Sequence, residues 1–210
     1  AISGIKKGQT DVFIYHISKN TFENITNDIY DDYEPIFIND DNEIIFSSNR
    51  VSDTLHTSPK WEDNLPLLIG RKKDLFLYSV GSKSKTLKRV TKTPEIEESH
   101  PIRLSDEYIS FLSDESGINN RVLVRFDSVI SHVDTIAHYQ FTTETTPVSN
   151  YSRNIIEHHT GYNGAKIGQV IFSKGRYRMY IDTLSIEDML LTAESISFLT
   201  DKGQSNKKPF

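Results

Sequence analysis

Apolar and polar residues alternate with a period of two through most of the chain, the spacing of half-buried β-strands. Asp11-Val12-Phe13-Ile14-Tyr15-His16-Ile17 is rich in β-branched and aromatic residues and predicts a strand. Ser18-Lys19-Asn20 supplies turn chemistry, and Thr21 to Thr26 alternates well enough for a second strand. An acidic loop, Asn27 to Asp32, leads into a hairpin that runs from Glu34 to Arg50. Its turn, Asn39-Asp40-Asp41-Asn42, is made of residues that tolerate positive φ. Residues 1 to 10 read as a Gly/Lys-rich lead-in.

The pattern then repeats. Asp74-Leu75-Phe76-Leu77-Tyr78-Ser79-Val80 aligns with Asp11 to Ile17, Leu87-Lys88-Arg89-Val90-Thr91 with Phe22 to Thr26, and Glu98-Ser99-His100-Pro101 with Asp32-Tyr33-Glu34-Pro35. Pro101 to Asp114 is a weaker copy of the first hairpin. Each unit, about 40–45 residues, has the length of a propeller blade. A degenerate third unit follows: strands over Arg121 to Phe126 and Ile136 to Thr142, a loop-like stretch from 143 to 165, then a hairpin across Ser173-Lys174-Gly175. Ser185 to Leu191 has helical spacing, with Ser185 as N-cap and Asp188 three positions on. Residues 51 to 73, polar and carrying Pro59, Trp61 and Pro66, interrupt the repeat as a long insertion.

These residues resemble the TolB-like (WD40-like) β-propeller repeat, whose hairpin ends in Ile-x-Phe-x-Ser-Asn-Arg. Pro35, Phe37, Ile45, Phe46, Ser48, Asn49 and Arg50 fall on that pattern, as do Pro101, Ile109, Phe111, Ser113 and Asp114. The departures are an Asp41-Asn42 turn where the family has Asp-Gly, a shortened turn at Ser105-Asp106-Glu107, and Arg103 at an aromatic position. In detail the chain is similar to the large exported TolB-like proteins of Bacteroidetes-type bacteria.

The expected fold is therefore all-β, with β-propeller blades of four antiparallel strands. A partial propeller is expected over 1–184, with clear units at 11–50 and 74–117, the insertion at 51–73 and a degenerate unit at 121–184. Residues 185–210 would form a short helix and a tail. The resemblance implies an exported, non-enzymatic scaffold in the periplasm or at the outer membrane that binds other envelope proteins. The alternatives are an accessory propeller of a prolyl-oligopeptidase-like hydrolase and a carbohydrate-active propeller.

Composition narrows the chemistry. A net charge of -5 lacks the basic excess of a nucleic-acid binder, and the absence of cysteine removes disulfides and thiolate metal sites. No apolar run approaches a membrane span. There is no Gly-x-Ser-x-Gly elbow and no phosphate-cradling glycine loop, so no catalytic residue and no cofactor is assigned. The acidic set Asp28, Asp31, Asp32, Glu34, Asp40 and Asp41 lacks the spacing of a calcium loop and reads as a solvated face. The adjacent His158 and His159 would point to opposite faces of a strand, which argues against a shared metal. Trp61, Tyr30 and Tyr33 are loop aromatics and candidate partner anchors. Four Asp-[Ser/Thr]-apolar tripeptides resemble the O-glycosylation sequon of exported Bacteroidetes-type proteins, which makes Thr54, Ser128, Thr135 and Thr183 candidate glycan sites.

Overall fold

The computed structural model describes residues 1–55, 69–82, 84–133, 137–161, 166–183 and 185–193. Among them the strands are β1 (Ile2–Lys6), β2 (Gln9–His16), β3 (Thr21–Asn24), β4 (Asp32–Ile38), β5 (Glu43–Arg50), β6 (Ile69–Ser79), β7 (Lys88–Arg89), β8 (Glu98–Arg103), β9 (Tyr108–Ser113), β10 (Asn120–Val133), β11 (Ala137–Pro147), β12 (Ile155–Thr160), β13 (Ile167–Ser173) and β14 (Arg176–Asp182). A helix, α1, covers 186–193. The strands form four sheets with orders β1-β2-β3, β4-β5-β6-β7, β11-β10-β9-β8 and β12-β13-β14. Every recorded pairing is antiparallel and sequentially adjacent strands are neighbours, the meander that blade-like sheets require.

The sequence repeat and the sheets are offset by two strands. Residues 11 to 50 supply β2 and β3 to one sheet and β4 and β5 to the next. The same offset recurs at 74 to 117, where β6 and β7 close one sheet and β8 and β9 open another. Local hydrogen bonding confirms that the two stretches are equivalent. Val12 N donates to Thr26 Oγ1 at 3.0 Å, and Leu75 N donates to Thr91 Oγ1 at 2.8 Å. Ile25 N donates to Val12 O at 2.8 Å, and Val90 N to Leu75 O at 2.9 Å. The threonine hydroxyl takes over the ladder where each short outer strand ends, so neither buried amide is orphaned.

Three expectations are corrected. Residues 1 to 10 contain β1, paired to β2 from Ile2↔Phe13 to Lys6↔Gln9, because the lead-in finds a ladder partner. The insertion is shorter than expected at its end, since β6 begins at Ile69. At its start, Leu55 is buried and its amide donates to Lys85 O at 2.7 Å, which ties the first residues to the connection between β6 and β7. The stretch from 143 to 165 is not all loop, for β11 runs to Pro147 and β12 occupies Ile155–Thr160. Its polar sequence conceals the inward positions Ile155 and His158, both buried.

The chain divides into two compact units. One comprises Ala1–Pro101 with Asp127–Thr143, the other falls within Ile102–Phe126 and Glu144–Phe210. In the first unit Val12, Ile14, Ile44, Phe46, Phe76 and Tyr78 form the core with Leu55 and Leu87. In the second, Met189 of α1 packs with Ile102, Leu104, Leu123, Val148 and Ile167. Ser185 caps α1 as expected: its Oγ accepts from Asp188 N at 3.1 Å, and Asp188 Oδ2 accepts from Ser185 N at 3.2 Å.

Phe46 and Phe76 lie across the β5–β6 pair with ring centroids 6.2 Å apart, and both are fully buried. Phe46→Ala is expected to cost about 3–5 kcal/mol through lost burial and the cavity left behind. Urea unfolding followed by circular dichroism checks this, and a loss under about 1 kcal/mol would contradict the packing described.

Candidate interaction site

The Glu34–Arg50 hairpin carries the densest polar chemistry in the first unit. Along β5, Ile44, Phe46, Ser48 and Arg50 share one phase of the strand, so Arg50 points the way the core residues point. It is 2 % exposed. Its Nη2 donates to both Asp32 oxygens at 2.8 and 2.9 Å, its Nη1 to Asp28 Oδ2 at 3.2 Å, and its Nε to Ser48 Oγ at 3.0 Å. The guanidinium lies 5.0 Å from the Tyr30 ring centroid and 5.7 Å from those of Phe46 and Phe76. A planar cation with five fixed donors suits this niche, and a lysine would not.

Burial pushes the Asp32 carboxyl up to about 6, while Arg50, Ser48 and Thr26 pull it back. It is therefore mostly ionised at neutral pH. Asp28 and Asp32 are thus internal counterions, a correction to their reading as part of a solvated face. Asp31 is also engaged, its Oδ1 accepting from Thr10 N at 3.0 Å. Tyr30, expected as a partner anchor, is 2 % exposed because its ring packs against Arg50.

Glu34 and His100 occupy equivalent positions, each followed by proline. Both have positive φ, 55° and 52°. A residue before proline is driven toward extended backbone, so this conformation is strained at both places. At Glu34 the β4–β5 register shifts between Tyr33 and Ile36, a bulge that re-aims the side chain. Glu34 Oε2 then accepts from His100 N at 2.6 Å, and Oε1 lies 3.2 Å from His100 Nε2. Glu34 N donates to Ser3 Oγ at 3.0 Å. Glu34 therefore links β4 to β1 through its backbone amide and to β8 through its carboxylate. Tyr33 beside it is half-buried, with Lys73 Nζ 4.7 Å from its ring centroid.

In the second unit, Arg121 is 2 % exposed. Its Nη2 donates to Gln169 Oε1 at 2.7 Å, and its Nε lies 3.4 Å from His158 Nδ1. Burial holds this guanidinium below its ordinary value, with Tyr151 and Asp182 acting in the opposite sense. His158 is buried and His159 exposed, the opposed orientation expected of adjacent strand residues.

The outer face of the β12–β14 sheet is different in kind. All seven residues of β14 are exposed. Tyr177, Met179 and Ile181 are 72, 73 and 67 % exposed, and their partners on the same face of β13 are Phe172, Val170 and Gly168. This contiguous apolar surface was missed in the sequence, where Arg176 to Ile181 reads only as one arm of a hairpin. Of the remaining candidates, Thr54 and Thr183 are exposed, Ser128 lies in β10, and Trp61 and Thr135 lie outside the described residues. Among the described residues, no three His, Asp or Glu side chains converge as a metal site.

No known family profile and no curated protein matches the chain. Among solved structures it is similar to TolB from Acinetobacter baumannii, with a TM-score of 0.53 at 14 % identity over 86 % of this chain. The match spans 37 % of that chain's length. The fold is thus an all-β assembly of antiparallel three- and four-stranded sheets, a partial β-propeller like TolB.

Removing Arg50 leaves two carboxylates uncompensated in a dry niche. Arg50→Ala is expected to cost about 3–5 kcal/mol in urea unfolding, and a change within about 0.5 kcal/mol would contradict the burial. The Asp32 carboxyl gives a second outcome. In the folded chain it keeps its proton up to about pH 6, against an ordinary value of 3.8. Between these values the native state binds the extra proton, so its contribution falls as pH rises through the window and is level above it. The stability of the wild type relative to Asp32→Asn should therefore drop by roughly 1–3 kcal/mol from acid to neutral pH. Unfolding curves across that range measure it, and a pH-independent difference would contradict it.

Proposed function

We propose that this chain is a non-enzymatic propeller scaffold that binds other proteins in the cell envelope. The observation that carries the reading is the apolar sheet face at Tyr177, Met179 and Ile181, three large side chains exposed side by side. Contiguous apolar surface of this kind marks interaction sites. The polar clusters support the same reading by what they do. Arg50, Asp28 and Asp32 satisfy one another inside the first unit, and Glu34 and His100 join strands of two different sheets. They stiffen a frame on which surfaces are presented. The similarity to TolB supports the fold, and the resemblance to exported TolB-like repeats supports an envelope location. Tyr33 and Trp61 are further contact candidates. Thr54, Ser128, Thr135 and Thr183 are the glycan acceptors in this proposal.

Expression of the tagged full-length protein in its native host, followed by fractionation and in-cell crosslinking, tests the reading. The protein should be recovered with the envelope and crosslink to a discrete partner. Recovery in the cytoplasm without a partner would overturn it.

A further inference from the structure

The strand β14 occupies a position that is covered everywhere else in the chain. By repeat alignment and sheet order its equivalents are β2, β6 and β10. Each has an outer neighbour: β3 on β2, β7 on β6 and β11 on β10. Among the described residues nothing pairs with the outer edge of β14. Among the described residues the chain enters α1 after Asp182, and Met189 of that helix packs in the core of its own unit.

The backbone shows which groups are free. Lys174 and Gly175 have φ of 52° and 74°, which makes the β13–β14 connection a two-residue turn of the primed type. Such a turn is closed by the hydrogen-bonded pair Ser173↔Arg176, and hydrogen-bonded and non-hydrogen-bonded pairs alternate from there. Arg176, Arg178, Tyr180 and Asp182 therefore direct their amides and carbonyls at β13. Tyr177, Met179 and Ile181 direct theirs outward. The same three residues carry the exposed apolar side chains, above a cavity of about 370 Å³ that Met179 and Ile181 line with Val170, His159 and Thr160. The opposite face of the edge is cationic. Lys174, Arg176 and Arg178 set three positive charges against Asp182, in a chain whose net charge is -5.

We propose that β14 is a strand-addition site for an extended acidic segment of a partner protein. The incoming strand hydrogen-bonds to the outward groups of Tyr177, Met179 and Ile181. Its acidic side chains lie beside Arg176 and Arg178, and its alternate apolar side chains extend the row above the cavity. Main-chain pairing gives the affinity and the alternating pattern gives the selectivity. This inference rests on the scaffold reading and names the surface and the partner's chemistry.

The test uses the purified chain and two capped heptapeptides, one alternating glutamate with valine and one alternating lysine with valine, titrated by fluorescence anisotropy. The acidic peptide should bind at least tenfold more tightly than the basic one, and added salt should narrow the difference. Met179→Pro removes an amide that points outward and keeps the pairing to β13, so the folded variant should lose at least tenfold in affinity. Should that variant fail to fold, the double charge reversal Arg176→Glu with Arg178→Glu serves instead and should invert the preference between the peptides. Equal binding of both peptides, or binding unchanged in these variants, would overturn the proposal. So would self-association of the chain abolished by Met179→Pro, since the occupant would then be a second copy. None of these results bears on envelope recovery and crosslinking, so the scaffold reading stands or falls separately.

Discussion

A guanidinium fully withdrawn from water sets the terms for the first unit. Arg50 enters the interior because it lies on the inward phase of β5, and the neighbouring chain must supply negative charge to meet it. Asp28 does so from the loop before β4 and Asp32 from the first position of β4. That loop cannot move without exposing an unpaired buried charge, which is far costlier than losing an apolar contact. Tyr30, Phe46 and Phe76 enclose the cation and exclude water, which strengthens the pairing. The acidic loop, the hairpin and the adjoining strand therefore hold one arrangement together.

The same logic recurs with different partners. Arg89 meets Asp74 at the edge of the second sheet and lies 4.5 Å from the Phe76 ring centroid. Arg121 meets Gln169 and His158 in the second unit. Between sheets of the first unit the Glu34 carboxylate takes this part, at the cost of a strained backbone that appears at the equivalent His100 as well. Strain that recurs at matched positions is a property of the repeat. Against this fixed frame the outer edge of β14 stands out, since it presents apolar side chains and free backbone groups together.

Much of the frame was legible. Alternation located most strands, and the matched stretches at Asp11 and Asp74 fold with the same threonine hydrogen bonds. The acidic turn has positive φ at Asn39, Asp40 and Asp41, as its residue types imply, and Ser185 caps its helix. What the residues did not reveal depends on partners distant in the chain. Asp28 and Asp32 look solvated until Arg50 is seen to be buried, though the phase of Arg50 in β5 held that clue. Tyr30 looks like a surface aromatic until the cation it packs on is placed. The strand β1 is invisible because its neighbour, and not its composition, makes it a strand. The open edge at β14 could not be read either, since a strand's local pattern does not say whether its outer side is covered.

Residue-resolved amide exchange of the intact chain, followed by NMR, tests the account most directly. A rigid frame with one open edge predicts slow exchange at Val12 and Leu75, whose amides are held by buried threonines, and at Arg178 and Tyr180, which face β13. It predicts fast exchange at Tyr177, Met179 and Ile181, which alternate with them. Uniform protection along β14, or rapid exchange at Val12 and Leu75, would contradict it.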